Sequence, residues 1–343
     1  MNNACFVNEC IYCGTTEGLL TDEHIIAYGL NGSLVLKKAS CLSCNKITGL
    51  FEEKVLRGFT QQARVALGMR SRRRKKTPKT FPLGIVKGDK ERIIHVPANE
   101  QFVVLPLPLF EELPLLKGKI PNASDDYKEG IGFTGVDVVW LGDPEEIRRR
   151  YSADRIFVVH KVDQIAFARM LAKIGYCQAV AQFGRDAIRE VYVLPAILGQ
   201  RNDIGRWVSS SNITMKPEVG VGHQIWSVRL KRVEAGAPSE LILTHIHLFA
   251  HLDAPAYTVI VGECGESDIP RRQFSGSELV RRIEDNCGES TNEFVGPFSS
   301  GFALENFGAT APVGAVASGA KKSASRVLLP SAGAVHSRGW ITQ

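Results

Sequence analysis

From Thr80 onward, apolar residues come in short runs separated by turn formers: TFPLGIV, RIIHVP, QFVVLPLPLF and VDVVWLG. Runs of this length bounded by Gly, Pro and Asp predict strands. Pro106, Pro108, Pro114 and Pro121 argue against a helix there and favour edge strands or extended chain, because proline cannot donate to a ladder. One stretch has a different period. Phe167, Met170, Leu171, Ile174, Gln178 and Ala181 recur at helical spacing, with Cys177 beside Gln178; Asp163 caps the start and Gly184 stops it. After it, VYVLPAIL, HQIWSVRLKRV, ELILTHIHLFAHL and AYTVIVG predict strands, the last two joined by a turn at DAP. Nearer the N-terminus, LLTDEHII and SLVLKKAS read as two strands about Asn31-Gly32, a strong hairpin-turn signal. Ile47, Leu50, Phe51 and Val55 then share one face of a helix, with Glu52, Glu53, Lys54 and Arg57 largely off it. The expectation is an α+β fold: a small unit over residues 1–60, a connector over 61–80 and a larger mixed α+β domain over 81–287. Residues 288–343 shift to Gly, Ala and Ser and predict a flexible tail, with Lys321, Lys322 and Arg326 as its basic residues.

Charge changes the picture at the connector. Eight of the 42 basic residues (Arg64, Arg70, Arg72, Arg73, Arg74, Lys75, Lys76 and Lys79) fall in a stretch that holds no acid. The other 34 face 36 acids, so the net charge of +6 becomes −2 without that stretch. Positive charge this local suits contact with a phosphate backbone, independent of sequence, and the first seven of these residues are the candidate contacts. The run contains no aromatic residue, so base stacking is not indicated by it. A composition of 44% hydrophobic and 23% charged residues is ordinary for a globular chain. No apolar run approaches the roughly 18 residues that span a bilayer, and MNNACFVNEC lacks the pattern of an export signal. The expectation is a soluble, cytoplasmic protein without a membrane partner, in which N-x-S/T matches at Asn31, Asn122 and Asn212 carry no weight.

Four of the eight cysteines form two C-x-x-C pairs, Cys10 with Cys13 and Cys41 with Cys44, with 27 residues between the pairs. That spacing suits one tetrahedral zinc held by four thiolates, which would supply folding free energy that 60 residues of modest core lack. A redox role fits less well, since neither pair opens a βαβ pattern. Cys5, Cys177, Cys264 and Cys287 are scattered and read as buried thiols or surface bystanders. The resulting order is knuckle, strand, turn, strand, knuckle, helix, with Asp22, Glu23 and His24 on the first strand.

C-I-Y-C-G, D-E-H-I-I and A-S-C-L-S-C-N-K-I-T-G, in this order over about residues 8–57, resemble a zinc-stapled HNH endonuclease. The resemblance implies a treble-clef-like ββα-metal unit that cleaves phosphodiester bonds in DNA with one divalent ion, Mg²⁺ or Mn²⁺. By position, His24 is the general base, while Glu23 and Asn45 are the metal ligands. The chemistry is coherent: a neutral imidazole takes a proton from water, and a carboxylate and an amide oxygen suit a hard cation. Two departures stand out. The family's middle Asn falls in a zone occupied here by Lys37 and Lys38, with Asn31 too early. Glu23 and His24 are also adjacent, so a flat strand would turn them to opposite faces.

Other candidates are weaker. Asp22 is a spare ligand that reads as solvent-facing, and Glu52 and Glu53 read as a solvated helix face. His245, His247 and His251 share strand parity, but no acid or cysteine accompanies them before Asp253, and a structural role is favoured. Gly220-Val221-Gly222 is too short for a phosphate loop, and Trp140, Trp207 and Trp226 read as core or core edge. Two alternatives to a DNA nuclease remain open: a zinc-dependent module that binds nucleic acid without cutting it, and a nuclease directed at RNA.

Overall fold

A computed structural model describes residues 5–72, 77–113, 129–211, 221–231, 240–264, 291–294, 323–328 and 339–341. The fold is α+β with open sheets. Its first unit holds β1 (Cys5–Phe6), β2 (Leu20–His24), β3 (Val35–Cys41) and α1 (Leu42–Arg57), with strand order β1-β3-β2. Asn31 does adopt a left-handed turn conformation, but the link between β2 and β3 is a longer loop carrying a 3-10 turn over Tyr28–Leu30. On α1 the buried face is Cys44, Thr48, Phe51 and Val55, whereas Leu50 is 59% exposed. The apolar period is helical as expected, but the buried face is centred differently because the knuckle draws Cys44 inward.

The connector is partly helical, as α2 (Gln61–Ala66). Then come β4 (Thr80–Lys87), β5 (Lys90–Pro97), β6 (Val103–Phe110), β7 (Phe133–Leu141), α3 (Pro144–Arg150) and β8 (Arg155–Val162). The proline-bearing β6 is an edge strand, pairing only with β7 among the described residues. Its continuous apolar sequence has a reason: Val103, Leu105 and Leu107 face one core while Phe102 and Val104 face a second, with Leu83, Ile85, Val138 and Ile156. A strand buried on both sides has no polar face to alternate with.

The predicted long helix is α4 (Gln164–Phe183), with Asp163 accepting from the Ala166 N–H at 3.0 Å and Gly184 as its C-cap. It is buried on all sides over Ala166–Val180, not on one face. Small residues permit this; a Cβ at Gly175 would meet the Val259 Cβ at 3.0 Å. Around it lie β9 (Ile188–Val191), α5 (Leu194–Ile197), β10 (Val208–Ser211), β11 (Val221–Lys231), β12 (Glu240–Leu248) and β13 (Ala256–Cys264). The stretch VYVLPAIL thus divides into the end of a strand and a short helix, because Pro195 favours a helix's first turn. In the 288–343 region, β14 (Thr291–Phe294), β15 (Ser323–Leu328) and β16 (Gly339–Ile341) pair with β11, β8 and β7; Lys321 and Lys322 lie outside the described residues. No described helix is long and apolar enough to cross a membrane.

One hydrophobic core runs from Cys10, Ile11, Leu36 and Phe51 through Phe167, Leu171 and Ile174 on α4 to Ile225 and Ile246. The boundary drawn near residue 60 therefore crosses continuous packing. Tyr12 lies 6.0 Å from Tyr176, ring to ring, and the Tyr176 hydroxyl donates to the Ile11 carbonyl.

Candidate functional site

The four knuckle sulfurs, from Cys10, Cys13, Cys41 and Cys44, all lie within 4.8 Å of one another, a cluster that could hold a metal ion such as zinc. Cys13 Sγ and Cys41 Sγ are 3.8 Å apart. Zn–S bonds of about 2.3 Å in a tetrahedron require an S···S edge of about 3.8 Å, so the residues fit the ion. Cys41 is also the N-cap of α1, its sulfur accepting from the Cys44 N–H at 3.5 Å. Burial works against a charged sulfur there, yet that N–H and the neighbouring thiols bring the Cys41 thiol down to about 7. A thiolate at a helix N-terminus is the species that binds zinc. Among the described residues this is the only cluster of three or more His, Cys, Asp or Glu side chains placed to hold a metal.

The strand above it sorts the acid and imidazole groups by parity. Glu23 is buried and His24 is partly exposed, as alternation on β2 requires. Burial first, then the positive charges of Lys173 and Arg72, lower the His24 pKa below its usual value, against the opposing pull of Glu23 and Asp22. His24 is therefore neutral near pH 7 and able to accept a proton. Its ring meets Tyr28 edge-on at 5.7 Å, and the guanidinium carbons of Arg70 and Arg72 stand 5.6 and 5.4 Å from the centre of the same Tyr28 ring. The basic segment thus folds back beside His24, and Tyr28, an aromatic from outside that segment, joins the patch. Its sequence signal was an aromatic four residues after the histidine.

Arg64 is different from its neighbours. Its guanidinium donates to the carbonyls of Gly29 (2.6 Å), Leu56 (2.6 Å) and Arg70 (3.1 Å), bracing the turn that carries Tyr28. A side chain committed to three carbonyls has little left for phosphate. Arg64→Ala should cost on the order of 2 kcal/mol of stability, because hydrogen bonds to a charged donor are lost from a partly buried site; chemical denaturation measures it. An unchanged midpoint with weakened nucleic-acid binding would return Arg64 to the contact surface. Arg73, Arg74, Lys75 and Lys76 lie outside the described residues.

Glu23 has a partner the sequence did not suggest. Lys173, fully buried on α4, sets its Nζ 2.7 Å from Glu23 Oε1 and 3.0 Å from Glu52 Oε1, and donates to the main-chain carbonyls of His24 and Ile25. Burial alone would lower the lysine pKa; Glu23 and Glu52 more than reverse this and hold it protonated. Glu52, read as solvated, is instead drawn inward, while Glu53 pairs with Arg57 at the surface. Asn45 is exposed, seven residues before Glu52 and so about 10.5 Å from it along the same face of α1. The structure brings Glu23 to Glu52 and Lys173, and leaves Asn45 outside that group. Glu23 thus meets an ammonium and a second carboxylate, while Asn45 stands exposed near the start of α1. The only hint of Lys173 was a cation, one of two with Arg169, amid the apolar residues of a long helix.

Remaining candidates have structural partners. Asp22 takes a salt bridge from Lys37 (2.6 Å) and accepts from the Lys38 N–H, where β2 and β3 slip register and Lys38 has a φ of 52°. That bulge occupies the zone of the family's middle Asn. His245 stacks on Trp226 at 4.0 Å, His247 Nε2 lies 2.6 Å from the Ala254 carbonyl, and His251 Nδ1 lies 3.4 Å from that of Gly222. Trp207 stacks on Tyr192 at 4.8 Å, and Trp140 meets Phe102. Set against known protein families, curated proteins and solved structures, the chain matches none of them.

Proposed function

We propose that the chain is an HNH-type phosphodiester hydrolase acting on DNA, with His24 as general base. The observation that carries this reading is His24 itself: neutral, partly exposed, at the end of β2 in a cysteine-stapled ββα unit, with Tyr28, Arg70 and Arg72 alongside. In this reading His24 accepts the proton of the attacking water as the new P–O bond forms and the P–O bond to one sugar oxygen breaks, the departing oxygen taking a proton from solvent. Arg70 and Arg72 hold the phosphodiester by charge, and Tyr28 offers a face to a base or sugar. Zinc at the cysteines fixes the strand and helix that present these groups. Mg²⁺ or Mn²⁺, when bound, would supply charge stabilisation at the phosphate.

A second reading, a zinc-dependent module that binds nucleic acid without cutting it, draws on the Glu23–Lys173 pair, which takes the acid away from metal chemistry. Plasmid nicking by wild type and His24→Ala, with Mg²⁺ or Mn²⁺, separates the two. Loss of the base should reduce cleavage about a hundredfold or more while zinc content and salt-sensitive binding stay intact. A wild type that binds and never cuts leaves the binding module. Duplex DNA, single strands and RNA run in parallel decide the substrate.

A further inference from the structure

We infer that Lys173 is a built-in cation: its ammonium fills a four-oxygen cage made by Glu23, Glu52 and the carbonyls of His24 and Ile25, so that Glu23 positions His24 instead of holding a divalent metal. The cage is independent of the proposed function, whereas the positioning role rests on reading His24 as the base.

The oxygen set is the argument. Two carboxylates and two carbonyls around one point are what a hard divalent cation takes from a protein. Here the point is occupied by Nζ, 2.7 Å from Glu23 Oε1, 3.0 Å from Glu52 Oε1 and 3.3 Å from the Ile25 oxygen, with the His24 oxygen also accepting. Lys173 is 0% exposed and Glu23 4%. Such burial is tolerable only because the charges compensate; an isolated ammonium there would lose its proton. Glu23 Oε2 is buried with no hydrogen-bond partner, so the carboxylate has acceptor capacity that a single ammonium does not saturate. The four oxygens come from β2, the residue after it and α1, and the ammonium from α4. Lys173 therefore pins the end of β2, where His24 leaves the strand, to two helices at once. Because its ammonium bonds the His24 carbonyl, the orientation of that main chain is set from behind, on the face opposite the imidazole.

The test titrates the zinc-loaded full chain with Mn²⁺ and follows the free ion by its paramagnetic resonance signal. Wild type and Glu23→Gln should give superimposable isotherms; a roughly tenfold or larger loss of Mn²⁺ affinity in Glu23→Gln overturns the inference. Lys173→Ala removes the ammonium and leaves both carboxylates. One added Mn²⁺ site is expected, together with a rise in thermal midpoint on adding Mn²⁺ that wild type does not show. Both should vanish in the Lys173→Ala, Glu23→Gln double variant, a dependence that a purely structural lysine would not produce. A folded Lys173→Ala that gains no site overturns the inference. Should Lys173→Ala not fold, the isotherms of wild type and Glu23→Gln decide alone. None of these readouts needs strand scission, so a chain that never cuts nucleic acid sinks the proposed function without touching this result.

Discussion

Stripping zinc from a zinc-loaded preparation, or replacing Cys44 with serine, is expected to unfold the first unit and lower the thermal midpoint of the whole chain by more than about 10 °C. Structural zinc contributes about 10–16 kcal/mol of folding free energy in small metal-stapled units, as much as the entire stability of an ordinary domain. Nothing local replaces it: the two sulfur pairs come from chain segments 27 residues apart in sequence, and Cys10 and Cys44 are both buried. Without the ion, four thiols that must share one small volume have only weak mutual hydrogen bonds. The loss also spreads. Ile11, Tyr12, Leu36 and Phe51 belong to the same core as Phe167 and Tyr176 on α4, so an unfolded first unit strips that helix of one wall. Circular dichroism with limited proteolysis, before and after chelation, checks it. The first cuts should fall before residue 60. An unchanged midpoint in protein proven free of zinc would show the cysteines to be bystanders.

Acidification from pH 7 to pH 4.5 should cost on the order of 2 kcal/mol for each of three histidines, His160, His223 and His245. Burial depresses all three, His160 and His223 to about 4 and His245 to about 3. The unfolded chain binds these protons below about pH 6.5 while the folded chain refuses them until near its own lowered values. Stability is therefore full above pH 6.5 and falls as the pH drops toward 4. His223 shows why protonation is resisted. Its Nδ1 accepts from the Phe249 N–H at 3.0 Å, so its proton sits on Nε2, which donates to the Leu30 carbonyl at 2.7 Å. A second proton on Nδ1 would point at the Phe249 N–H and break that bond, although Nε2 would still donate to Leu30. His245 is stacked on Trp226 and its Nε2 is buried without a hydrogen-bond partner. Urea unfolding across the range measures the slope. His245→Phe should flatten it, and a zinc-sensitive dye run alongside reports any contribution from metal release. A flat profile in wild type would mean that these sites open to water before they charge.

What could be read from residues alone follows how far apart the cooperating groups are. The α4 helix was legible down to its caps, since Asp163, the apolar spacing and Gly184 lie within one continuous stretch. So were β2, β3 and the four-cysteine cluster, because C-x-x-C spacing encodes its own geometry, whereas β1 carried no such signal. Apolar content alone predicts a strand through VYVLPAIL, but Pro195 sits where a helix's first turn accepts it. Leu50 lies outside the buried face because helical period fixes relative faces, whereas the direction of the face depends on what the knuckle pulls inward.

The sequence by itself determined the α+β class, the four-cysteine staple and the placing of an acid and an imidazole on adjacent residues of one strand. Only tertiary structure decided which partners those two side chains would meet. Lys173 lies 150 positions from Glu23, and no local rule links a lysine on a buried helix to a carboxylate on a distant strand. The same holds for Arg64, whose charge suggested phosphate until its three carbonyls were in place. A charged side chain is directed by whichever unsatisfied group the packing leaves within reach, and that is settled after the elements dock.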